Sequence, residues 1–465
     1  RMIIRPYRRL FRPQFPPQEG GGAVEVFAYM INIIYNLLLW LALPLLVPYH
    51  AYRSLSRGRR TAFMERFGRI PADELNLIRG GQGTILVHAV SVGETNAALP
   101  LLKGIRTRFP DKKIVITNVT ETGRSVAQKS KAADLCIYFP FDFPFAVRSV
   151  LEAIRPEAVI IMETEIWPNF IGVARGMGIP VLLANGRISD RSFGRYLRLS
   201  WFFRPVLQRI SALCMQTPVD AERISAIGAP SAAVHVGGNL KYDIPVVKAK
   251  PAQVAEIKAK YQIPSDCFVF AAASTHEGEE AQVLEAFRAL LACDPQSFLI
   301  LAPRHPERAP GVAELIKKEG FPFQSRSALD GSGPLPAGGI LLLDTVGELA
   351  GLYRAADLVF VGGSLVATGG HNPLEPAACQ VPVLFGPHMQ NFREIAALFV
   401  KHCGAEVQAA DLDALKAELL RLSADASLRE ELGRRGAGIL LESAGATGRH
   451  LDVMASLLEQ RGKRG

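Results

Sequence analysis

The sequence predicts an α/β fold made of two Rossmann-like domains facing a cleft, preceded by an N-terminal membrane-anchor helix. Three observations carry that prediction. From Thr84 onward short apolar, β-rich runs (TILVHAV, KIVITNV, LCIYFPF, AVIIME, PVLLANG, SALCMQT, AVHVGGN) alternate with helix-like stretches, the pattern of buried parallel strands joined by crossover helices. The pattern loosens around LKYDIPVVKAKPAQ and a second series follows: CFVFAAAS, SFLILAPR, GILLLD, LVFVGGS, VPVLFG. Finally, Val26 to Tyr52 contains no Asp, Glu, Lys or Arg, and a bilayer-crossing helix needs roughly 20 apolar residues.

In chain order, residues 1–22 form an Arg/Pro/Gly-rich extension, whose missing initiator Met is expected to reflect a processed or trimmed start. Residues 23–60 are the anchor and a basic flank. Pro44 and Pro48 are placed to kink the anchor or fold it into an interfacial hairpin, and Tyr35, Trp40 and Tyr49 suit the headgroup level. A cleaved signal peptide fits less well, because arginines lie on both sides and no small-residue cleavage site follows. Residues 61–243 are the first Rossmann-like domain, 244–253 a linker, and 254–465 the second domain with terminal helices.

At 465 residues, 49% apolar and 21% charged, the chain has room for two cores. Lys and Arg exceed Asp and Glu by 53 to 44, a net +9 that suits a phosphate-bearing partner or an anionic membrane surface. No nucleic-acid-binding signature accompanies it, so nucleic acid is not expected as a partner. The six cysteines are scattered without a CxxC pair and read as reduced thiols, neither a disulfide frame nor a zinc site.

Several polar groups fall where a strand gives way to a helix. In HAVSVGETNAALPLL, Glu94 stands at such a junction and fits a working carboxylate and a first-turn helix residue equally well. In the second half AAASTHEGEE presents Ser274, Thr275 and His276, LILAPRHPER presents Arg304 and His305, LLLDTVGELAGLY presents Gly347 and Glu348, and VFVGGSLVATGGHNPLEPAA presents Gly362, Gly363, Asn372 and Glu375. Helix starts behind small residues offer free N–H groups and a positive dipole end to phosphate, and a carboxylate such as Glu375 can accept from ribose hydroxyls. Plain capping explains any one site as well; four at corresponding strand ends point to a nucleotide. Asp411 and Asp413 imitate a metal-binding DxD but lie just ahead of a helical stretch, where a cap and first-turn pair is expected.

The set SVGE (91–94), METEIWPN (162–169), GNLKYD (238–243), STHEGEE (274–280), PRHPER (303–308), GGS (362–364) and GGHNPLEPAA (369–378) resembles the bacterial 3-deoxy-D-manno-octulosonic acid (Kdo) transferases, from about Tyr35 to the C-terminal helices. The first thirty or so residues have no counterpart in that pattern. The resemblance implies a membrane-associated, inverting glycosyltransferase of GT-B type in lipid A biosynthesis. Such an enzyme moves Kdo from CMP-Kdo to a hydroxyl of the lipid A precursor at the cytoplasmic face of the inner membrane. It places the general base on Glu94, which the helix dipole is expected to keep ionised as a weak base acting late. It places transition-state stabilisation on Glu163 and Lys241. Lys241 offers a fixed cation, whereas Glu163 needs a partner such as Arg187 or Lys241 and reads equally as a structural salt bridge, with Glu165 on the same face. CMP binding carries over to Pro303, Arg304, Val346, Gly347, Glu348, Asn372, Pro373, Leu374 and Glu375. With no DxD at a strand end, neither metal nor other cofactor is expected. Arg187, Arg191, Arg195 and Arg198, spaced to share one helix face ahead of Trp201, Phe202 and Phe203, suit a phosphorylated lipid acceptor. Other expectations for the same layout are a UDP-sugar transferase or epimerase, or an inactive membrane scaffold.

Overall fold

The computed structural model describes residues 23–56, 60–331 and 333–463. The chain divides into two compact units, one of residues 1–243 with 445–465, the other of 244–444.

The first unit is built on a seven-stranded parallel sheet: β1 (Thr84–His88), β2 (Lys113–Asn118), β3 (Leu135–Tyr138), β4 (Ala158–Met162), β5 (Val181–Gly186), β6 (Ala212–Met215) and β7 (Val234–Val236), in the order β3-β2-β1-β4-β5-β6-β7. The central strands are buried along their whole length because helices cover both faces, which is why they read as unbroken apolar runs. Alternate residues feed two cores: Leu86, Val115 and Ile161 face one helix layer, and Ile85, Val87, Ile116 and Ile160 the other.

Its helices include α1 (Ala23–Ser56), α2 (Val92–Arg108), α3 (Pro168–Gly176), α4 (Asp190–Arg198) and α5 (Ser200–Leu207). The 1–22 extension lies outside the described residues, as do 57–59 of the basic flank and the side chains of 23–29 and most of 45–62. Among the described residues no helix is long and apolar enough to cross a membrane. Pro44 and Pro48 lie inside α1, which continues through both instead of folding into a hairpin. On one side α1 docks through Tyr35, whose hydroxyl donates to Asp142 at 2.9 Å, and through a reciprocal amide pair between Asn36 and Asn169 at 3.2 and 2.9 Å. Asp142 also accepts from the backbone N–H groups of Asn169 and Phe170, at the start of α3. The opposite side turns out Met30, Ile33, Ile34, Leu37, Leu38 and Leu41, an exposed stripe at helical spacing.

The second unit carries a six-stranded parallel sheet: β8 (Val269–Thr275), β9 (Phe298–Pro303), β10 (Phe323–Ser325), β11 (Ile340–Leu342), β12 (Leu358–Val361) and β13 (Val383–Phe385), in the order β10-β11-β9-β8-β12-β13. Its helices include α6 (Glu279–Cys293) and the short α7 (Leu374–Ala378). Asp411 caps its helix by accepting from the Ala414 N–H at 2.9 Å, and Asp413 sits in the first turn beside Lys416, so the DxD is a helix start.

The last helix, α8 (Ala446–Gly462), departs from the expected second domain of 254–465 by belonging to the first unit. Two physical causes return it there. Ala446, Leu451, Met454 and Leu457 complete the core beside Ile85 and Ile160. The Asp243 carboxylate caps it, accepting from Gly445 at 2.8 Å, Ala446 at 3.3 Å and Thr447.

Candidate functional site

In both sheets the strand order reverses in the middle, between β1 and β4 and between β8 and β12, and the second sheet also has β10 outside β11 at its edge. Crevices beyond the carboxyl ends of such neighbouring strands are where open α/β sheets hold ligands. The predicted residues concentrate at these two places.

In the first unit β1 runs into Ser91, the N-cap of α2, with Glu94 in the first turn. Glu94 bends back so that the Val90 N–H donates to Oε2 at 2.7 Å and the Ser91 hydroxyl to Oε1 at 3.1 Å. It is 9% exposed. Burial raises its pKa to about 7; the Val90 N–H and Ser91 oppose that shift, and the charges of Glu163 and Glu165 add to it. The expectation that the helix dipole keeps Glu94 a weak, ionised base is thereby corrected: desolvation outweighs the helix start. With a pKa of about 7 the carboxylate can gain or lose a proton near neutrality.

Glu163 follows β4 directly, so it lies across the switch point from Glu94. Its φ of 54° puts a non-glycine residue in the left-handed region, held there while its N–H donates to the Ala184 carbonyl at 2.8 Å. Such backbone costs of order 1 kcal/mol and gathers at functional sites. Glu165, raised in pKa by burial and then by Glu163, completes an acidic group with Glu94. Arg187 is tied to the same loop through its backbone, its N–H donating to Thr164 Oγ1 at 3.1 Å.

Lys241 is placed by a relay of buried amides. Its own N–H donates to Asn239 Oδ1 at 3.0 Å, and the preceding Leu240 N–H to Asn185 Oδ1 at 3.0 Å. Asn185, also left-handed at φ 57°, donates its N–H to His450 Nε2 at 3.0 Å. His450 Nδ1 lies 2.7 Å from the Ala446 carbonyl, so Nδ1 carries the proton and Nε2 accepts. The returning helix α8 thus locks the loop that bears Lys241.

Only part of the predicted basic face is helical. Ser189 caps α4, so Arg187 precedes the helix while Arg191, Arg195 and Arg198 ride on it, all exposed. Leu197, Leu199 and Trp201 beside them are exposed apolar residues, and Phe202 of α5 meets Tyr35 of α1 at 6.0 Å between ring centroids.

In the second unit β8 ends at Thr275–His276 and β12 at Gly362–Gly363. A Cβ on Gly362 would lie 2.6 Å from the Ser274 carbonyl oxygen, so only glycine lets these strand ends approach so closely. The N–H groups of Gly363, Ser364, Leu365 and His276 converge on one point, but Glu279 fills it from within, accepting all four at 2.6, 2.8, 2.8 and 2.9 Å. The expectation that the GGS and STHEGEE amides bind phosphate is corrected accordingly. Glu280 likewise accepts from Thr275 at 3.1 Å and from Arg308 at 2.8 and 3.2 Å, fastening PRHPER to STHEGEE. The sequence analysis assigned Glu279 and Glu280 no role. Two successive acids behind Gly278, whose φ is 90°, were the available signal.

The predicted donor-site residues fall on several loops and element ends of this unit. Pro303 ends β9, and Arg304 is exposed beside it, its N–H donating to the Thr275 carbonyl at 3.0 Å. Asn372 is bonded within its own loop. Its Oδ1 accepts from the Leu374 N–H at 3.1 Å and its amide donates to Glu375 at 3.2 Å, so with Pro373 it forms the entry to α7. Glu375 is open to solvent yet ringed by protein; that surrounding raises its pKa, with Asn372 and Arg304 opposing. Val346 is exposed and Gly347 has φ 91° with open space around it. Glu348 is anchored by Tyr261 at 3.0 Å, Arg326 at 3.1 Å and Thr345. Burial pushes its pKa up, but these three partners outweigh burial and hold it below the usual range.

Two parallel-sheet α/β units of this order define the class: a glycosyltransferase-type GT-B fold. A UDP-GlcNAc 2-epimerase from Neisseria meningitidis bound to UDP-GlcNAc shares that fold, with a TM-score of 0.52 and 14% identity over 80% of this chain and 100% of that one. Residues 61–244 match the family described as 3-Deoxy-D-manno-octulosonic-acid transferase (kdotransferase). The 3-deoxy-D-manno-octulosonic acid transferase of Haemophilus influenzae is 36% identical over 436 residues, 93% of this chain and 100% of that one. The enzyme of that name from Bordetella pertussis is 34% identical over 383 residues, 80% of this chain and 87% of that one. This chain belongs to the 3-deoxy-D-manno-octulosonic acid transferase family, and it is a glycosyltransferase that transfers Kdo.

Proposed function

We propose that the protein moves Kdo from CMP-Kdo to a hydroxyl of the lipid A precursor, inverting the anomeric centre, with Glu94 as the base that takes the acceptor proton. The observation that carries the assignment is the state of Glu94: buried at the end of β1, held by two donors and raised in pKa to about 7. Lys241, fixed by the Asn185–His450 relay, offsets negative charge that builds during transfer. Glu163 shapes the electrostatics of the base by its proximity. Arg304, Glu375 and the Val346–Glu348 turn receive CMP, with Glu375 on the ribose. The reading uses protein cations at the donor and requires neither metal nor cofactor.

Membrane association is part of the same proposal. The outward apolar stripe of α1 and the exposed Leu197, Leu199 and Trp201 favour seating in an anionic lipid surface, with the arginines of α4 at the phosphorylated headgroup of the acceptor. The two units then work on the cytoplasmic face of the inner membrane.

The test is to incubate the purified full chain with lipid A precursor and either CMP-Kdo or UDP-sugars, and to weigh the lipid product by mass spectrometry. Addition of Kdo only from CMP-Kdo is expected. Exclusive use of a UDP-sugar overturns the reading.

A further inference from the structure

His276 and His371 are left over from the assignments above. His276 follows β8 directly and His371 lies in the loop between β12 and α7, yet their rings meet: Nε2 of one lies 2.8 Å from Nε2 of the other, and the ring planes differ by only 8°. Two imidazole nitrogens at that distance hold one hydrogen between them, so one ring donates and the other accepts. Gly363 makes the meeting possible, since a Cβ there would lie 3.2 Å from His371 Cδ2 and 3.3 Å from His276 Cδ2.

The charged groups around the pair are Arg304, Arg308 with its partner Glu280 at 2.8 Å, Glu279, and Glu307, which lies 3.7 Å from His305. His305 stands perpendicular to His276 at 5.9 Å between centroids, Arg304 and Arg308 face His276, and Arg304 and His305 face His371. The one carboxylate that favours a charge on His276, Glu279, is already occupied by four backbone N–H groups. Burial is the first cause holding both rings below the ordinary histidine pKa, His371 at about 4, and the neighbouring cations add to it. The resting pair is therefore neutral at pH 7.

We propose that His276 and His371, together with Arg304, form an oxyanion subsite of the second unit that takes up one proton when an oxyanion binds. The inference rests on reading this unit as the donor-binding one. CMP-Kdo presents two such anions, the phosphate and the sugar carboxylate. Either one, set against the pair, reverses the balance of charge that keeps the rings neutral and draws a proton from solvent onto them. The Nε2–H thus gained is a charge-assisted donor, stronger than the neutral bond it replaces.

Calorimetry of the full chain tests this, with CMP or free Kdo titrated at pH 7.5 in two buffers of different ionisation heat. The CMP phosphate, with a second pKa of about 6, is then already almost fully ionised. Uptake of roughly half to one proton per CMP is expected. It should vanish in His371→Gln, which should still bind CMP, about tenfold more weakly. 15N-histidine NMR of the wild-type chain should show one ring becoming imidazolium on addition of ligand. Uptake with CMP assigns the phosphate, and uptake with free Kdo alone assigns the carboxylate. Binding of CMP without uptake while free Kdo adds none, or uptake that persists in both His276→Gln and His371→Gln, overturns the inference. Failure of the wild-type chain to bind CMP at all overturns the reading of the unit, and the inference with it.

Discussion

Each unit sets a glutamate beside its switch point, and the two are held in opposite ways. Glu94, after β1, has two hydrogen-bond donors and two acidic neighbours, and its pKa climbs to about 7. Glu279, after β8, has four backbone N–H donors and is wholly buried. A carboxylate whose lone pairs are saturated by fixed donors is scaffold, whereas one left short of donors keeps an affinity for a proton. The count of donors around a carboxylate, more than its place on the fold, separates a chemical residue from a structural one.

The comparison breaks most visibly at Glu279. Glu279→Ala leaves four buried N–H groups without their acceptor, and we expect a loss of about 3–4 kcal/mol in unfolding free energy, measured by denaturant titration. A loss below ~1 kcal/mol would mean that the four bonds are dispensable. Glu94 should behave in the opposite sense. Its pKa in the folded chain lies above the ordinary carboxyl value, so the native state binds more protons than the unfolded one between about pH 4.5 and 7. Stability therefore falls as pH rises through that window, and the cost is complete above it. Glu94→Gln should accordingly stabilise the protein by on the order of 2 kcal/mol at pH 8 and leave it nearly unchanged at pH 4.5, by thermal unfolding at both pH values.

Smaller effects sharpen the same contrast. Arg326→Ala removes one of three partners of Glu348 and should cost about 1 kcal/mol, seen as roughly fivefold weaker CMP binding. At the helix start that imitates a metal motif, Asp413→Ala should change stability by less than about 0.5 kcal/mol and leave transfer intact.

Much of this was legible in the sequence because strands buried on both faces leave unbroken apolar runs, and both sheets announced themselves that way. β10, three residues of intermediate burial, had no such run and escaped. The strand-to-helix junctions at Glu94 and Arg304 were legible in the sequence, whereas only the family resemblance singled out Glu163 from Glu165. The proton affinity of Glu94 was misjudged, since a helix start is a local feature whereas desolvation is set by residues far away in sequence. The same distance hid the four donors of Glu279, which come from two loops more than eighty residues apart, and the return of α8 to the first unit. That helix was grouped with the second domain's terminal helices, because Asp243 and the core it completes lie some two hundred or more residues away in sequence.

The central claim is that Glu94 takes the acceptor proton, and single-turnover transfer by Glu94→Gln tests it most directly. With wild-type and variant compared at saturating CMP-Kdo and lipid acceptor, we predict a rate lowered by about 10³-fold with CMP affinity unchanged. A variant that transfers Kdo within a few-fold of the wild-type rate would contradict the assignment.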